Sequence, residues 1–128
     1  MRVLLDTHAL LWALMEPSRL SRDAQTVISD RANTLLVSSA SAWEIATKHR
    51  IGRLDCADAV VHGYAAHLER LGAEELSIRS DHAFLAGSLD GDHRDPFDRM
   101  LAAQSLIEAV SVVTSDEAIA CLGAPTIW

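Results

Sequence analysis

Four carboxylates stand where the chain changes character. Asp6 closes the apolar run Val3-Leu4-Leu5, Glu44 lies inside "SSASAWEIATK", Asp98 inside "DPFDRMLAAQSL" and Asp116 inside "VVTSDEAI". A carboxylate drawn out of water must be paired, hydrogen-bonded or bound to a metal. Several drawn together repel one another, and they coexist ionised only with cations among them. An oxygen-only donor set selects hard Mg²⁺ or Mn²⁺. Such ions make a bound water more acidic and steady the attacking and leaving oxygens in phosphodiester cleavage. Each acid also has a local reading. Asp6, Asp95 and Asp116 can cap helices, with Pro96 at a first helical position, and Glu44 can pair with Lys48 at i,i+4.

The elements that must position these acids alternate in type. Short apolar runs predict strands over residues 3–5, 35–37, 75–78, 111–114 and 126–128. The first is apolar on both faces, as a buried parallel strand is. Helices are predicted over residues 9–15, 22–31, 42–50, 57–71, 81–88, 97–109 and 117–122, with Ser21 capping the second and Gly52 and Gly72 as stops for the third and fourth. Alternation of this kind implies an α/β domain with a central, mainly parallel sheet of four to five strands. In such sheets ligands bind beyond the carboxyl ends of the strands. Asp6, Glu44, Asp98 and Asp116 all fall on that edge, which is a joint signal that no single cap supplies.

Length and composition bound the rest. The 128 residues suit one domain. With 49% hydrophobic and 23% charged residues the composition is globular. The formal charge of −7 argues against a general polyanion-binding surface, although an acid cluster becomes less negative once it holds cations. Cys56 and Cys121 have no metal-ligand spacing and read as reduced core thiols of a cytoplasmic protein. Asp6, His8 and Glu16-Pro17 interrupt the apolar amino-terminal stretch, so it reads neither as a signal peptide nor as a membrane span. No glycine-rich phosphate loop supports a nucleotide cofactor.

The motifs "LLDTHALLW", "SSASAWEIATK", "DPFDRMLAAQSL" and "VVTSDEAI" together resemble the successive motifs of PIN-domain ribonucleases, and most of all the toxin ribonucleases of bacterial VapBC toxin–antitoxin systems. The resemblance implies a PIN-like three-layer α/β/α fold and an Mg²⁺- or Mn²⁺-dependent endoribonuclease selective for single strands. It also implies a homodimer and a cognate antitoxin. Residue by residue it makes Asp6, Glu44, Asp98 and Asp116 the catalytic, metal-holding acids. Asp95 either completes the metal site or only caps its helix. Thr7, Thr114 and Ser115 orient carboxylates or metal waters, Thr114 and Ser115 having a capping turn as the alternative.

Other side chains are less decided by sequence. Lys48 either offsets the acids and meets a phosphate or is a surface charge. RNA contacts fall to Arg2, Lys48, Arg50, Arg53, Arg94 and Arg99. Trp12, Trp43 and Phe97 read as core aromatics rather than base-stacking platforms. His8 and His93 lie near acids, but the family pattern is all-carboxylate. The remaining histidines, His82 among them, carry no signal. Competing classes are a non-catalytic PIN-like RNA-binding or scaffold module, which would lack one or more acids, and another Mg²⁺-dependent phosphoryl-transfer domain. A response-regulator receiver would want an acid pair after its first strand and a Lys after its last, and neither is present.

Overall fold

Five strands form the centre of the computed structural model, which describes residues 1–54 and 57–128. They are β1 (Arg2–Leu5), β2 (Thr34–Ser38), β3 (Ala73–Leu76), β4 (Ser111–Val113) and β5 (Thr126–Ile127). Their order across the sheet is β3-β2-β1-β4-β5, and every pairing is parallel. The expected mainly parallel sheet is therefore parallel throughout. In register, Leu4 of β1 faces Leu36 of β2 on one side and Val112 of β4 on the other. The chain runs from β1 outward through β2 to β3, then returns to the other side of β1 as β4. That reversal leaves a crevice above β1 and β4, where open α/β sheets bind ligands.

The helices are α1 (Thr7–Met15), α2 (Arg22–Ser29), α3 (Ser39–Arg50), α4 (Ala57–His62), α5 (Tyr64–Leu71), α6 (Ser80–Ser88), α7 (Pro96–Glu108) and α8 (Glu117–Cys121). Alternation along the strands divides the core in two. Val3, Leu5, Leu35, Val37 and Val113 pack against α1–α5 through Leu10, Ala24, Ile45, Val60 and Leu68. Leu4, Leu36 and Val112 pack on the opposite face against Leu101, Ala102, Ile119 and Leu122 of the α7–α8 region. The result is the three-layer α/β/α sandwich that the sequence implies.

Three expectations shift in detail. The single helix over residues 57–71 is two helices, parted at Gly63. There the backbone leaves helical geometry (φ −131°, ψ 24°), and glycine resists such a break least. The third strand begins at Ala73, immediately after Gly72 ends α5 in the left-handed region (φ 74°). Cys121 is exposed rather than a core thiol, because α8 buries only Ile119. Cys56 lies outside the described residues.

Arg99 and His82 do structural work that sequence did not disclose. The Arg99 guanidinium on α7 donates to the carbonyls of Ala86 (2.8 Å), His93 (2.9 Å) and Leu89, so it ties α6 and the following loop onto α7. His82 is fully buried between the same helices. Its Nδ1 accepts from the Arg79 backbone N–H (3.1 Å), which leaves Nε2 to donate to Glu108 Oε1 (3.1 Å). Among the described residues no helix is long and apolar enough to cross a membrane.

Leu4 touches helices through a strand that has neighbours on both sides, so the site cannot collapse easily. Leu4→Ala is expected to lower unfolding free energy by about 2–5 kcal/mol in urea denaturation. Phe84→Ala, at a position 80% exposed, is expected to stay within about 0.5 kcal/mol of the parent.

Candidate functional site

Asp6, Asp98 and Asp116 are placed by element boundaries on the carboxyl edge of the sheet, and Glu44 by the helix that follows β2. Asp6 follows β1 and is the N-cap of α1: its Oδ1 accepts from Ala9 N–H at 2.6 Å. Its Oδ2 accepts from the hydroxyl of Thr114, which follows β4. Thr114 Oγ1 in turn accepts from Asp116 N–H at 2.9 Å, and Asp116 Oδ1 caps α8 by accepting from Ala118 N–H at 2.9 Å. Asp95 caps α7, its Oδ1 accepting from Phe97 N–H (2.9 Å) and Asp98 N–H (3.3 Å). Ser38, at the end of β2, caps α3 through Ala40 N–H (3.0 Å), and Glu44 lies two turns further along that helix. Cap and site readings of Asp6 are therefore compatible. One oxygen holds the helix, and the other faces β4.

The acids are neighbours in an electrostatic sense. Asp6 is 5% exposed and Glu44 4% exposed. Burial pushes the Asp6 carboxyl above the usual carboxylate range, and the nearby Glu44 adds to the rise, against the bonds from Ala9 and Thr114. Asp98, whose side chain is 17% exposed, is pushed up to about 6, mainly by burial and further by Asp95 and Asp116. Glu44 with Asp6, Asp6 through Thr114 with Asp116, and Asp116 with Asp98 form a continuous chain of acidic neighbours.

Partners already stand among them. Lys48 Nζ pairs with Glu44 Oε2 on α3. His93 Nε2 lies 2.8 Å from Asp98 Oδ2. Among the described residues no three His, Cys, Asp or Glu donors stand close enough together, as placed, to hold a metal ion. The donor chemistry nonetheless fits a hard divalent cation: oxygen ligands only, two of them nearly dry, and the Asp98 carboxyl raised by burial and by its acidic neighbours.

The remaining candidates divide. Thr114 is bonded to Asp6 as anticipated. Thr7 is buried but gives its hydroxyl to Ser41 Oγ (3.0 Å) rather than to a carboxylate. Ser115 is exposed. Lys48 is the partner of Glu44, so the pairing that sequence offered as the plain alternative is formed. Among the arginines considered for RNA, Arg99 is spent on three carbonyls. Arg2 begins β1 and so sits at the opposite, amino edge. Arg94 is exposed beside Asp95. Trp43 corrects an expectation: it is 60% exposed, not core, because it sits on the outward side of α3 against Phe97 (4.8 Å between ring centres). His93 was missed as a partner of Asp98, since a loop histidine five residues before an acid has no helical or strand period to flag it.

A family model for the PIN domain matches residues 3–123. The chain belongs to the PIN-domain family. Within it, the chain is 30% identical over 132 aligned positions to ribonuclease VapC22 of Mycobacterium tuberculosis, with 98% of each chain covered. It is 36% identical over 72 positions to ribonuclease VapC16 of the same organism, a match spanning 53% of this chain and 50% of that one. Among solved structures the PIN fold here resembles the VapBC2 assembly of Rickettsia felis bound to promoter DNA (TM-score 0.70, 15% identity, 99% and 98% of the chains covered). It also resembles VapBC-1 of nontypeable Haemophilus influenzae (TM-score 0.68, 16% identity, 99% and 97% covered). At these identities the structures speak to fold alone. All four acids expected from the PIN motifs are present and lie on one edge of this PIN sheet.

The raised carboxyl of Asp98 has a signed consequence for the metal-free protein. Its folded pKa, about 6, lies above the ordinary aspartate value of 3.8. The folded state therefore binds the proton more tightly, and this contribution to stability is complete below the unfolded value and lost as pH rises through the folded one. Thermal melts of metal-free protein are expected to show Tm falling between about pH 4 and pH 7, and Asp98→Asn is expected to flatten that fall. An unchanged pH profile in Asp98→Asn would place the titration elsewhere.

Proposed function

We propose that this PIN-domain chain is a metal-dependent endoribonuclease that hydrolyses phosphodiester bonds of single-stranded RNA. The observation that carries the reading is a buried carboxylate, Asp6, at the reversal of strand order, in a chain of acids whose mutual repulsion calls for cations. Family membership and the ribonuclease relatives support the same chemistry. Asp6, Glu44, Asp98 and Asp116 are the residues that would hold Mg²⁺ or Mn²⁺. When bound, the ion would supply charge neutralisation and a more acidic water. Thr114 fixes the Asp6 oxygen by hydrogen bonding. Lys48, paired with Glu44, is the cation that would meet a substrate phosphate. Asp95 acts through the backbone of α7, holding Asp98 in its first turn. No histidine or serine nucleophile is needed, since positioning and electrostatics supply the catalysis.

We infer also that the 128 residues work as one domain in the cytoplasm, where an exposed thiol such as Cys121 stays reduced. Structures of like fold were solved as VapBC assemblies, which supports a cognate antitoxin as partner and the toxin role that goes with it. A basic segment of such a partner suits a chain of net charge −7. Pairing of two copies of the chain belongs to the same reading.

Purified protein with Mg²⁺ or Mn²⁺ is expected to cut single-stranded RNA in a gel assay, and EDTA is expected to stop it. Asp6→Asn should lower the rate by on the order of 10²–10³-fold with an unchanged circular dichroism spectrum, because Asn caps a helix as well as Asp. Wild-type activity in Asp6→Asn would refute the mechanism. Asp98→Asn is expected to cost more activity than Asp95→Asn, and the reverse order would move the metal-holding role to Asp95.

A further inference from the structure

Trp43 is the large aromatic that the proposed chemistry leaves unused. Tryptophan is highly buried on average in folded proteins, yet this one is 60% exposed. It immediately precedes Glu44 on α3, and its ring meets Phe97, which immediately precedes Asp98 on α7 (77° between ring planes). The aromatic pair therefore bridges the two helices that carry two of the four acids. Between those helices and α6 lies a recess of about 210 Å³ lined by Trp43, Ile78, Pro96, Met100 and Arg94. Arg94 is exposed and makes no ion pair among the described residues. The other arginine of the recess, Arg99, has its guanidinium on backbone carbonyls.

The recess is small against the roughly 300–1,000 Å³ of sites that enclose a whole small molecule. It suits one planar group of a ligand anchored elsewhere. Its walls are apolar and aromatic, its one available charge is positive, and Trp43 and Pro96 of its lining are sequence neighbours of Glu44 and Asp95. An unpaired base meets those conditions: its face stacks on an aromatic ring, and the phosphate beside it pairs with an arginine. A duplex keeps its bases stacked inside and offers none to such a wall.

We propose that Trp43, braced edge-on by Phe97, is the stacking wall of a nucleobase subsite for a nucleotide flanking the scissile phosphate, with Arg94 holding that nucleotide's phosphate. This rests on the RNA-cleaving reading above, and it makes Trp43 the residue through which the enzyme selects an unpaired base at one position.

The test uses full-length protein with Mn²⁺ and a single-stranded RNA whose cut position has been mapped. Matched RNAs carry an abasic residue at each position flanking the cut. On intact RNA, Trp43→Ala is expected to lower kcat/KM by about 10- to 100-fold, chiefly through KM, and Trp43→Phe is expected to recover most of the loss. On the RNA abasic at the occupied position, wild type and Trp43→Ala should cut alike. Phe84→Ala, an exposed aromatic outside the recess, should match wild type throughout. Equal cutting of intact RNA by Trp43→Ala and wild type overturns the subsite. So does an equal loss on intact and on every abasic RNA, or a change of oligomeric state of Trp43→Ala in size-exclusion chromatography, which would assign the face to contact between copies. If wild type cuts no RNA with metal present, the nuclease reading itself fails, an outcome distinct from these.

Discussion

The hydrogen bond from the Thr114 hydroxyl to the Asp6 carboxylate joins the ends of β1 and β4 at the place where strand order reverses. Asp6 is nearly dry, and a dry carboxylate is costly unless its oxygens are satisfied. Ala9 N–H satisfies one oxygen and Thr114 the other. This arrangement can exist only if β1 and β4 lie side by side with their carboxyl ends level, as the Leu5–Val113 register places them. The crevice, the start of α1 and the placement of Asp116 all follow from that alignment.

A second constraint is the gathering of like charge. Helix amino termini carry partial positive charge, and α1, α3, α7 and α8 begin on the acidic edge. Caps from Asp6, Asp95 and Asp116 use one oxygen each on backbone N–H groups. Lys48 and His93 add charge or hydrogen bonds at Glu44 and Asp98. These groups offset part of the repulsion among the acids, and burial together with Asp95 and Asp116 still raises the Asp98 carboxyl.

Much of this was legible in the sequence because the signals were local. Val3-Leu4-Leu5 and Leu35-Leu36-Val37 are too short and too uniformly apolar to be anything but buried strands, and Asp95-Pro96 announces α7 without help from the rest of the chain. The acids were found by position, as residues that end strands or open helices. What escaped was long-range or two-sided. Gly63 looked tolerable inside one amphipathic pattern, and only packing shows the break. Trp43 has the composition of a core residue, and its exposure depends on which side of α3 faces the sheet. Arg99 has the composition of a phosphate ligand, but three carbonyls from α6 and the loop after it claim it. His93 meets Asp98 because Arg99 holds its carbonyl, a contact no periodicity encodes.

The partners Asp6 and Thr114 are 108 positions apart. Parallel pairing of such distant segments must close a long loop before any contact rewards it, and chains of this topology fold slowly. During synthesis β1 and β2 can pair early, but the acidic edge waits for β4. Until then Asp6 lacks its hydroxyl donor and Asp116 has not been made. The site is thus a late product of folding, built on a scaffold already half assembled, and no amino-terminal fragment of the chain can contain it.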